Sequence, residues 1–313
     1  MTKFALIGAA GYVAPRHMRA IKETDGNLVA AFDPSDSVGV IDGFFPDARF
    51  FTEFERFDRH VDMLARSGNA IDYISVCSPN YLHDAHARFG LRSGADVICE
   101  KPLVLNPWNL DGLQEMEQQT GKRLYTILQL RVHPAIIALK KRVDSASHDQ
   151  VFDVDLTYIT SRGAWYHVSW KGDEAKSGGI ATNIGVHFYD MLSFVFGELQ
   201  SNCVHMRTVR HAAGYLEFKR ARVRWFLSVD RSDLPAHTPE GQATYRSITV
   251  DNDEIEFSGG FTDLHTRSYQ NILGGGGFGI DEVRPSIELV SSIRGNALEP
   301  HKGDMHPFLK ELS

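Results

Sequence analysis

The sequence predicts the α/β class: a doubly wound parallel sheet followed by an α+β domain with an open, mostly antiparallel sheet. The chain has 313 residues, and at roughly 150 residues per domain this length suggests two domains. From Lys3 to Thr126, short β-rich apolar runs alternate with longer segments of helical spacing, which is typical of βαβ units around a parallel sheet. After about Leu130 the pattern changes to strands joined by turns, which indicates mostly antiparallel pairing.

The predicted first domain covers residues 1–130. Its strands are predicted at Phe4 to Ile7, Leu28 to Phe32, Ala48 to Phe51, Ile71 to Val76, Val97 to Glu100 and Leu124 to Ile127. The helices between them are predicted at Pro15 to Thr24, Phe54 to Arg66, Tyr81 to Ser93 and Pro107 to Gln119. In a parallel sheet the carboxyl ends of the strands meet at one edge, where open α/β folds bind ligands.

The predicted second domain covers residues 131–313. A helix opens it from Pro134 to about Val143, and a loop of polar and aromatic residues runs from Ser161 to Gly179. Its strands are predicted at Val151 to Thr160, Val204 to Val209, Val223 to Val229, Tyr245 to Val250 and Ile255 to Phe257. Three further helices are predicted at Ile184 to Phe196, Leu264 to Leu273 and Asp281 to Arg294.

Composition and charge exclude several classes of protein. Hydrophobic residues make up 42% of the chain and charged residues 23%, a balance that excludes disordered and fibrous proteins. The 33 Lys and Arg against 40 Asp and Glu give a formal charge of -7, and such a field repels nucleic acid and anionic membrane surfaces. No apolar run approaches the roughly 18 residues of a membrane helix. We therefore expect neither nucleic acid nor membrane as a partner.

The three cysteines indicate a reducing compartment. Cys77, Cys99 and Cys203 form no CxxC motif and no pairing pattern, so we expect neither a disulfide framework nor a metal site. The apolar start of the chain is interrupted by Gly8 and Gly11, which argues against a signal peptide. A cytoplasmic location is the expectation.

The first predicted strand runs directly into a glycine-containing turn and then into a helix. Small residues at Gly8 and Gly11 let the backbone approach a pyrophosphate, and the following helix offers N–H groups and a partial positive charge. The spacing G-x-x-G-x-x-A is one residue longer than the usual dinucleotide fingerprint, so the turn alone is a weak signal. Asp33 strengthens it, because an acid at the end of the second strand accepts hydrogen bonds from the adenosine ribose.

This combination predicts a Rossmann-type domain that prefers NAD to NADP. Asp33 would repel a 2′-phosphate, and no arginine follows it directly. The structural alternative is that Gly8 and Gly11 only form a tight turn while Asp33 caps a helix.

Two later turns supply candidates for chemistry at the same edge of the sheet. The fourth and fifth strands end in Ser78-Pro79-Asn80 and Glu100-Lys101-Pro102. A partly buried lysine in such a turn can take part in proton transfer. Without further context, a solvated lysine would be the favoured interpretation of Lys101, since most lysines are exposed.

These motifs resemble the Gfo/Idh/MocA family of sugar and inositol dehydrogenases. The resemblance rests on Glu100-Lys101-Pro102, on the upstream glycine turn and on the run from Ser78 to His83. The family's second signature is an acidic residue followed four positions later by histidine on an inward-facing helix. His187 matches the family histidine, whereas Asn183 stands where many members have aspartate. Outside this resemblance, His187 on an apolar helix could be a core histidine.

The match extends to the UDP-N-acetyl-glucosaminuronate 3-dehydrogenase branch, of the WlbA/WbpB type. The residues that carry it are the runs from Gly8 to His17, Gln129 to Arg131, Tyr158 to Gly163, Ser169 to Asp173 and Asn183 to His187. The branch implies NAD-dependent oxidation of the 3-hydroxyl of UDP-N-acetyl-glucosaminuronic acid to a 3-keto sugar in lipopolysaccharide O-antigen biosynthesis. A partner aminotransferase would then use the ketone.

The same resemblance implies roles for individual residues. Lys101 and His187 are the catalytic pair, and the hydroxyl proton leaves to one of them. We favour His187 as the base, because an imidazole is mostly neutral near neutral pH, and Lys101 as the group that orients the hydroxyl; the opposite assignment stays open. The cofactor contacts are Gly8, Gly11, Tyr12, Val13, Asp33, Ser78, Asn80, His83, Glu100, Lys101, Gln129 and Arg131. Arg131 could instead bridge subunits or pair structurally.

The polar loop offers contacts for an anionic sugar nucleotide. Arg162 and Lys171 can grip carboxylate or phosphate, and aromatic faces such as Trp165 and Tyr166 can stack on sugar or uracil. Asn183 can hydrogen-bond a sugar hydroxyl but cannot act as a base near neutral pH. Each of these charges could also be a solvated surface group, and Asp173 and Glu174 in the same loop weaken the basic patch.

The expectations about oligomeric state and about reoxidation of the cofactor come from the resemblance alone. Family members commonly assemble through the open sheet of the second domain, so a homotetramer is expected. Some relatives of the branch are thought to reoxidise bound NADH with 2-oxoglutarate. Two alternatives remain: another sugar or polyol dehydrogenase of the same fold, and a non-catalytic NAD-binding sensor, which the asparagine at 183 keeps open.

Overall fold

A computed structural model describes residues 1–255, 263–300 and 302–312. The strands are β1 (Lys3–Ile7), β2 (Asn27–Phe32), β3 (Arg49–Phe51), β4 (Tyr73–Val76), β5 (Asp96–Cys99), β6 (Leu124–Thr126), β7 (Phe152–Thr160), β8 (Leu199–Arg207), β9 (His211–Phe218), β10 (Ala221–Ser228), β11 (Thr244–Val250) and β12 (Asp253–Glu254). The predicted strand at Ile255 to Phe257 extends into residues outside the described ranges.

The helices are α1 (Ala14–Glu23), α2 (Phe54–Arg66), α3 (His83–Arg92), α4 (Pro107–Thr120), α5 (Pro134–Ser145), α6 (Ala164–Val168), α7 (Glu174–Ser177), α8 (Val186–Phe196), α9 (Leu264–Leu273), α10 (Ile280–Gly295) and α11 (Pro307–Leu312). Eight of the helices match the predicted periodic segments; α6 and α7 are short helices within the segment predicted as a loop, and α11 was not predicted. Within the described ranges, no helix is long and apolar enough to cross a membrane.

The chain divides into two compact units. The first comprises Met1–Gln129 together with residues 263–284, and the second contains the remaining described residues. The segment 263–284 thus packs with the N-terminal unit, whereas the sequence pattern assigned it to the C-terminal domain.

A six-stranded parallel sheet forms the centre of the first unit. Its strand order is β3-β2-β1-β4-β5-β6, and each pairing is parallel. The order reverses at β1, whose neighbours are β2 on one side and β4 on the other, and open α/β sheets bind ligands beside such a switch point. The predicted doubly wound sheet is confirmed.

Apolar strands and helix faces build the core of this unit. Phe4, Leu6 and Ile98 are completely buried in the sheet, and Met18 and Ile21 cover them from α1. Strands buried on both faces read as continuous apolar runs, which is why their positions could be predicted.

A second six-stranded sheet forms the centre of the other unit. Its order is β12-β11-β7-β10-β9-β8, with β7 and β10 parallel and the other neighbours antiparallel. The predicted mostly antiparallel sheet is confirmed. The sequence did not reveal β9, because Ala212, Ala213 and Gly214 give it little apolar bulk. Gly214 is required there, since an added Cβ would collide with the Trp225 ring of β10 and with the backbone of β8.

Helix α8 packs on this second sheet. Met191, Leu192 and Phe196 are buried in one cluster with Val223 and Trp225. The helix is preceded by a π-helical turn, Ala181–Gly185. Such single π turns often occur at functional sites because they re-aim side chains.

Candidate functional site

The turn after β1 is shaped for close approach of a ligand to the backbone. Gly8 has a φ of +93°, and a Cβ there would lie 2.5 Å from the backbone nitrogen of Ser78. The Gly8 amide donates to the carbonyl of Phe32 at 2.8 Å, and the Gly11 amide donates to the carbonyl of Gly8 at 3.0 Å. Only glycine fits at position 8, and the turn delivers the chain to the start of α1.

Asp33 lies directly beside this turn. One carboxylate oxygen accepts from the backbone N–H of Ala10 at 3.0 Å, and the other accepts from the N–H of Ser35 at 2.8 Å. The side chain stays partly exposed, so it has remaining capacity to accept from a ribose hydroxyl. Tyr12 is 85% exposed on the same turn, and Val13 is partly buried. The strand, turn, helix and acid therefore fit a dinucleotide.

His83 ties the turns after β4 and β5 to each other. Its Nε2 lies 2.7 Å from the carbonyl oxygen of Ser78, and its Nδ1 lies 2.7 Å from the carbonyl oxygen of Pro102. The ring is 1% exposed. Burial lowers the pKa of His83, whereas its two carbonyl contacts oppose that shift. The ring nitrogens therefore face protein oxygens, and Asn80 in the same turn is also buried.

Glu100 lies at the centre of a buried hydrogen-bond network. His17 Nε2 and His265 Nε2 lie 3.1 and 2.8 Å from the same carboxylate oxygen. On its other ring nitrogen, His17 lies 2.8 Å from the hydroxyl of Tyr269, which in turn lies 2.6 Å from Ser75 Oγ. The network joins β4, β5, α1 and α9.

The charge on Glu100 determines which atoms of this network carry protons. Burial alone would raise the pKa of Glu100, but the bonds from His17 and His265 hold that pKa well below its ordinary value. Burial lowers the pKa of His17, although Glu100 opposes the shift. A neutral His17 that donates from Nε2 must accept at Nδ1, so the hydroxyl of Tyr269 donates to it.

The same three side chains could in principle hold a metal ion. His17, Glu100 and His265 each offer one ligand atom, and these atoms all lie within 4.8 Å of one another. The 2.8 and 3.1 Å contacts to a single oxygen are ordinary N–H to carboxylate distances. Hydrogen bonding therefore accounts for the cluster.

Lys101 follows Glu100 directly and is partly exposed. Its backbone N–H donates to the second carboxylate oxygen of Glu100 at 3.3 Å. Gln129, at the end of the first unit, is 8% exposed.

In the second unit, Asn183 and His187 share one face. Every other residue from 181 to 192 is buried, and these two are partly exposed. Their spacing of four residues across the π turn and the start of α8 places both on the same side. Two polar side chains thus reach the surface from an otherwise buried segment, which makes them candidates for a functional role.

Asn183 is oriented by a buried tyrosine. Its Nδ2 donates to the hydroxyl of Tyr166 at 2.9 Å. Tyr166 is 2% exposed, and burial raises its pKa while the bond from Asn183 opposes the shift. The predicted stacking residue therefore holds Asn183 instead of presenting an open aromatic face, which Trp165, 52% exposed, does offer.

Arg131 forms a buried ion pair with Asp190 of α8. Two guanidinium nitrogens donate to the two carboxylate oxygens at 3.0 and 2.7 Å. This geometry favours the structural pairing that the sequence left open for Arg131 over the predicted cofactor contact.

Lys171 lies among aromatic rings in the polar loop. Its Nζ is 4.2 Å from the ring centroid of Trp170 and 5.7 Å from that of Trp165. Burial lowers the pKa of Lys171, and the charge of Arg162 adds to the shift. Arg162 itself is exposed. Two cations close enough to repel each other beside exposed aromatic surface form a candidate site for an anion.

Sequence reasoning missed His17, His265, Tyr269 and Asp190. His17 lies on the buried apolar face of α1, and His265 and Tyr269 are four residues apart on α9. Polar rings at core positions of amphipathic helices were the available signal, but their partners come from distant parts of the chain.

Family comparisons match both units. Residues 2–128 match the oxidoreductase family described as an NAD-binding Rossmann fold of the Gfo/Idh/MocA type. Residues 140–233 match the C-terminal alpha/beta domain of the same oxidoreductase family.

Two solved structures of the WlbA (WbpB) dehydrogenase from Thermus thermophilus are similar over almost the whole chain. Both are 52% identical and cover 98% of this chain and 100% of their own. One is a complex with NAD and alpha-ketoglutarate, with a TM-score of 0.93. The other is a complex with NAD and UDP-GlcNAcA, with a TM-score of 0.94. The WlbA dehydrogenase from Bordetella pertussis, at 20% identity over 93% of this chain and 94% of its own, has a TM-score of 0.74 and shares the fold.

A curated relative is more distant. Inositol 2-dehydrogenase of Rhizobium meliloti is 27% identical over 201 residues, which is 63% of this chain and 55% of that relative. The chain thus spans about half the length of this relative. Because two successive domains match one family and 98% of the chain aligns at 52% identity, the chain belongs to the Gfo/Idh/MocA oxidoreductase family.

Proposed function

We propose that this protein catalyses NAD-dependent oxidation of the 3-hydroxyl of UDP-N-acetyl-D-glucosaminuronic acid to the 3-keto sugar. The observation that carries the proposal is the 52% identity, over 98% of the chain, to a dehydrogenase whose complex contains NAD and UDP-GlcNAcA. The cofactor turn, Asp33 and the paired exposure of Asn183 and His187 support it.

The first unit would hold the cofactor. Gly8 and Gly11 leave room for a pyrophosphate at the start of α1, and Asp33 accepts from the adenosine ribose. When bound, NAD supplies the hydride acceptor. Tyr12, Val13, Ser78, Asn80 and Gln129 are the further proposed contacts.

Oxidation of a carbinol breaks one C–H and one O–H bond, so a protein group must take the hydroxyl proton. We assign that role to His187, because a neutral imidazole accepts a proton near neutral pH. Lys101 donates a hydrogen bond to the alcohol oxygen and stabilises the charge that develops on it. Asn183 hydrogen-bonds a sugar hydroxyl and does not exchange protons.

The polar loop would bind the anionic parts of the substrate. Arg162 and Lys171 grip the uronate carboxylate or the pyrophosphate, and the exposed ring of Trp165 stacks on sugar or uracil. The charge of Arg162 beside Lys171 supports this role, because an anion bound at both cations relieves their repulsion.

Further properties are proposed with this activity. The reduced cofactor is reoxidised in place by 2-oxoglutarate, since a similar structure contains alpha-ketoglutarate with NAD. The product feeds O-antigen sugar biosynthesis. The protein acts as a cytoplasmic homotetramer, and light scattering on the purified chain tests the oligomeric state.

The decisive experiment is a single-turnover assay with NAD and UDP-N-acetyl-glucosaminuronic acid, followed by NADH absorbance. Wild type should form NADH, and Lys101→Ala and His187→Ala should abolish it while NAD binding persists. Asp144→Ala, in an exposed ion pair with Lys140, is the matched control and should behave as wild type.

Two other outcomes would change the assignment. NADH formation with myo-inositol or a free sugar, but not with the nucleotide sugar, would favour another sugar dehydrogenase. NAD binding with no reduction across a panel of UDP-sugars would support the sensor.

A further inference from the structure

Lys101 is flanked by Glu100 and Pro102, and both of these residues contact buried histidines. Before it, the carboxylate of Glu100 accepts from His17 and His265 at 3.1 and 2.8 Å. After it, the carbonyl oxygen of Pro102 lies 2.7 Å from His83. All three histidines are at most 4% exposed, whereas Lys101 is partly exposed.

We propose that His17, His265 and His83 are positioning residues for Lys101, which fix its turn and do not touch the substrate. The inference rests on the proposed function in so far as Lys101 serves that reaction. Its consequence is that residues far apart in the chain, on α1, α3 and α9, control the geometry of one side chain.

The arrangement at Glu100 does more than fill the core. A buried carboxylate is costly unless it is fully hydrogen-bonded, and an apolar side chain would pack there without that cost. One oxygen of Glu100 binds both histidines, and the other accepts the backbone N–H of Lys101. The carboxylate therefore connects the histidines to the main chain of Lys101 itself.

The series of hydrogen bonds from Ser75 through Tyr269 to His17 fixes the His17 ring in one tautomer. Tyr269 lies between Ser75 and His17, so each hydroxyl donates to the next group in the series. His265 Nδ1 is buried and has no hydrogen-bond partner within the part of the chain that the structure describes. A neutral His265 leaves only a lone pair at that position, which is the less costly state.

His83 secures the opposite side of the turn. Because its ring spans the carbonyl oxygens of Ser78 and Pro102, it couples the turn after β4 to the turn that carries Lys101. A neutral ring donates to one of these oxygens, and a protonated ring donates to both.

The test compares His265→Ala, His265→Gln and His306→Gln. Glutamine keeps an N–H donor near the position of Nε2, and His306 is a buried histidine in the other unit. With NAD and the nucleotide sugar, His265→Ala should lower kcat at least tenfold and change each KM less than threefold. His265→Gln should recover at least a third of the wild-type kcat, and His306→Gln should leave it unchanged.

A second readout is independent of the substrate. Competitive labelling with acetic anhydride, followed by peptide mass mapping, gives the reactivity of Lys101 relative to the exposed Lys22. His265→Ala should change this ratio at least threefold, and His306→Gln should not. If His265→Ala does not fold, Tyr269→Phe removes a single hydroxyl of the network and should change the ratio about twofold.

The outcomes separate the two proposals. If wild type forms no NADH but the labelling ratio shifts, the proposed function fails and the positioning role stands. If wild type is active and neither kcat nor the labelling ratio changes in the variants, the positioning role is overturned. When wild type is active, a shift in labelling with unchanged kcat also overturns it, because the geometry of Lys101 would then have no effect on the reaction.

Discussion

Arg131 and Asp190 form a bidentate ion pair that is almost completely buried. The two nitrogen-to-oxygen distances are 3.0 and 2.7 Å, and the side chains are 9% and 2% exposed. Asp190 follows His187 by three residues on α8, so the pair anchors the helix that carries the proposed base. Burial raises the pKa of Asp190 even though Arg131 opposes the shift.

Replacement of Arg131 should therefore be severe. Arg131→Met leaves a buried carboxylate without its cation, and we expect a loss of about 3–5 kcal/mol in the free energy of unfolding, measured by urea titration. The double variant Arg131→Met/Asp190→Leu should recover most of that loss, because it removes the unpaired charge. Arg142→Ala, from an exposed pair with Asp253, is the control and should cost less than about 1 kcal/mol. Equal losses of unfolding free energy in Arg131→Met and Arg142→Ala would contradict this expectation.

Asp33 should determine the choice between the two nicotinamide dinucleotides. Its carboxylate lies beside the glycine turn through the bond to Ala10, where a 2′-phosphate would be repelled. In Asp33→Ser we expect weaker binding of NAD and tighter binding of NADP, with the ratio of their dissociation constants changed at least tenfold. Isothermal titration measures both. Asp36→Ser, at an exposed aspartate, is the control. A similar change in the ratio of dissociation constants in that variant would contradict the role assigned to Asp33.

Acid should destabilise the fold through buried histidines. Burial lowers the pKa of His86 to about 4 and of His306 to about 3. Because the unfolded chain binds protons near pH 6.5 and the folded chain does not, stability falls as the pH drops below about 6.5. Between pH 7 and 5, each such histidine accounts for a loss on the order of 2 kcal/mol.

Urea unfolding at pH 7 and at pH 5 tests this expectation. His306→Gln cannot titrate, so its stability should depend on pH less than that of wild type by roughly the loss assigned to one histidine. His148→Gln changes an exposed histidine and should keep the wild-type dependence. An unchanged slope in His306→Gln would refute the account.

Local sequence patterns predicted elements more reliably than long-range contacts. Helices α2 and α9 begin and end at the predicted residues, since their apolar spacing is regular. Strand β9 was missed because small residues replace the usual bulky ones. The return of residues 263–284 to the first unit depends on contacts such as Tyr269 with His17, which no local periodicity encodes.

In the candidate site too, some contacts could be predicted from the sequence and others could not. The glycine turn and Asp33 each follow a strand directly, so the contact between Ala10 of that turn and Asp33 could be predicted from sheet geometry. The role of Tyr166 could not, because the residue that it holds is 17 positions away and the link is a single hydrogen bond.

Lys171 should contribute to binding and not to chemistry. Its Nζ lies over the rings of Trp170 and Trp165, and Arg162 is the neighbouring cation. Lys171→Met should raise the KM for the nucleotide sugar at least tenfold and leave kcat within about threefold, since a bound-state contact of this kind is uniform between ground and transition states. Lys176→Met is the matched control, because Lys176 pairs with Asp173 at 3.5 Å. Steady-state kinetics at saturating NAD measure KM and kcat separately. A fall in kcat alone would count against the binding role of Lys171.

Tyr166 and Asn183 should be energetically coupled. The hydroxyl of Tyr166 is buried and accepts the side-chain amide of Asn183 at 2.9 Å, so Tyr166→Phe leaves that amide without this acceptor. A double-mutant cycle with Tyr166→Phe and Asn183→Ala should give a coupling free energy of about 1 kcal/mol in urea unfolding. Tyr158→Phe, a partly buried tyrosine on β7, combined with Asn183→Ala should give additive changes. If the Tyr166 cycle is also additive, the hydrogen bond does not hold Asn183. A coupling that appears in kcat as well would indicate that this bond sets the orientation of the amide during the reaction.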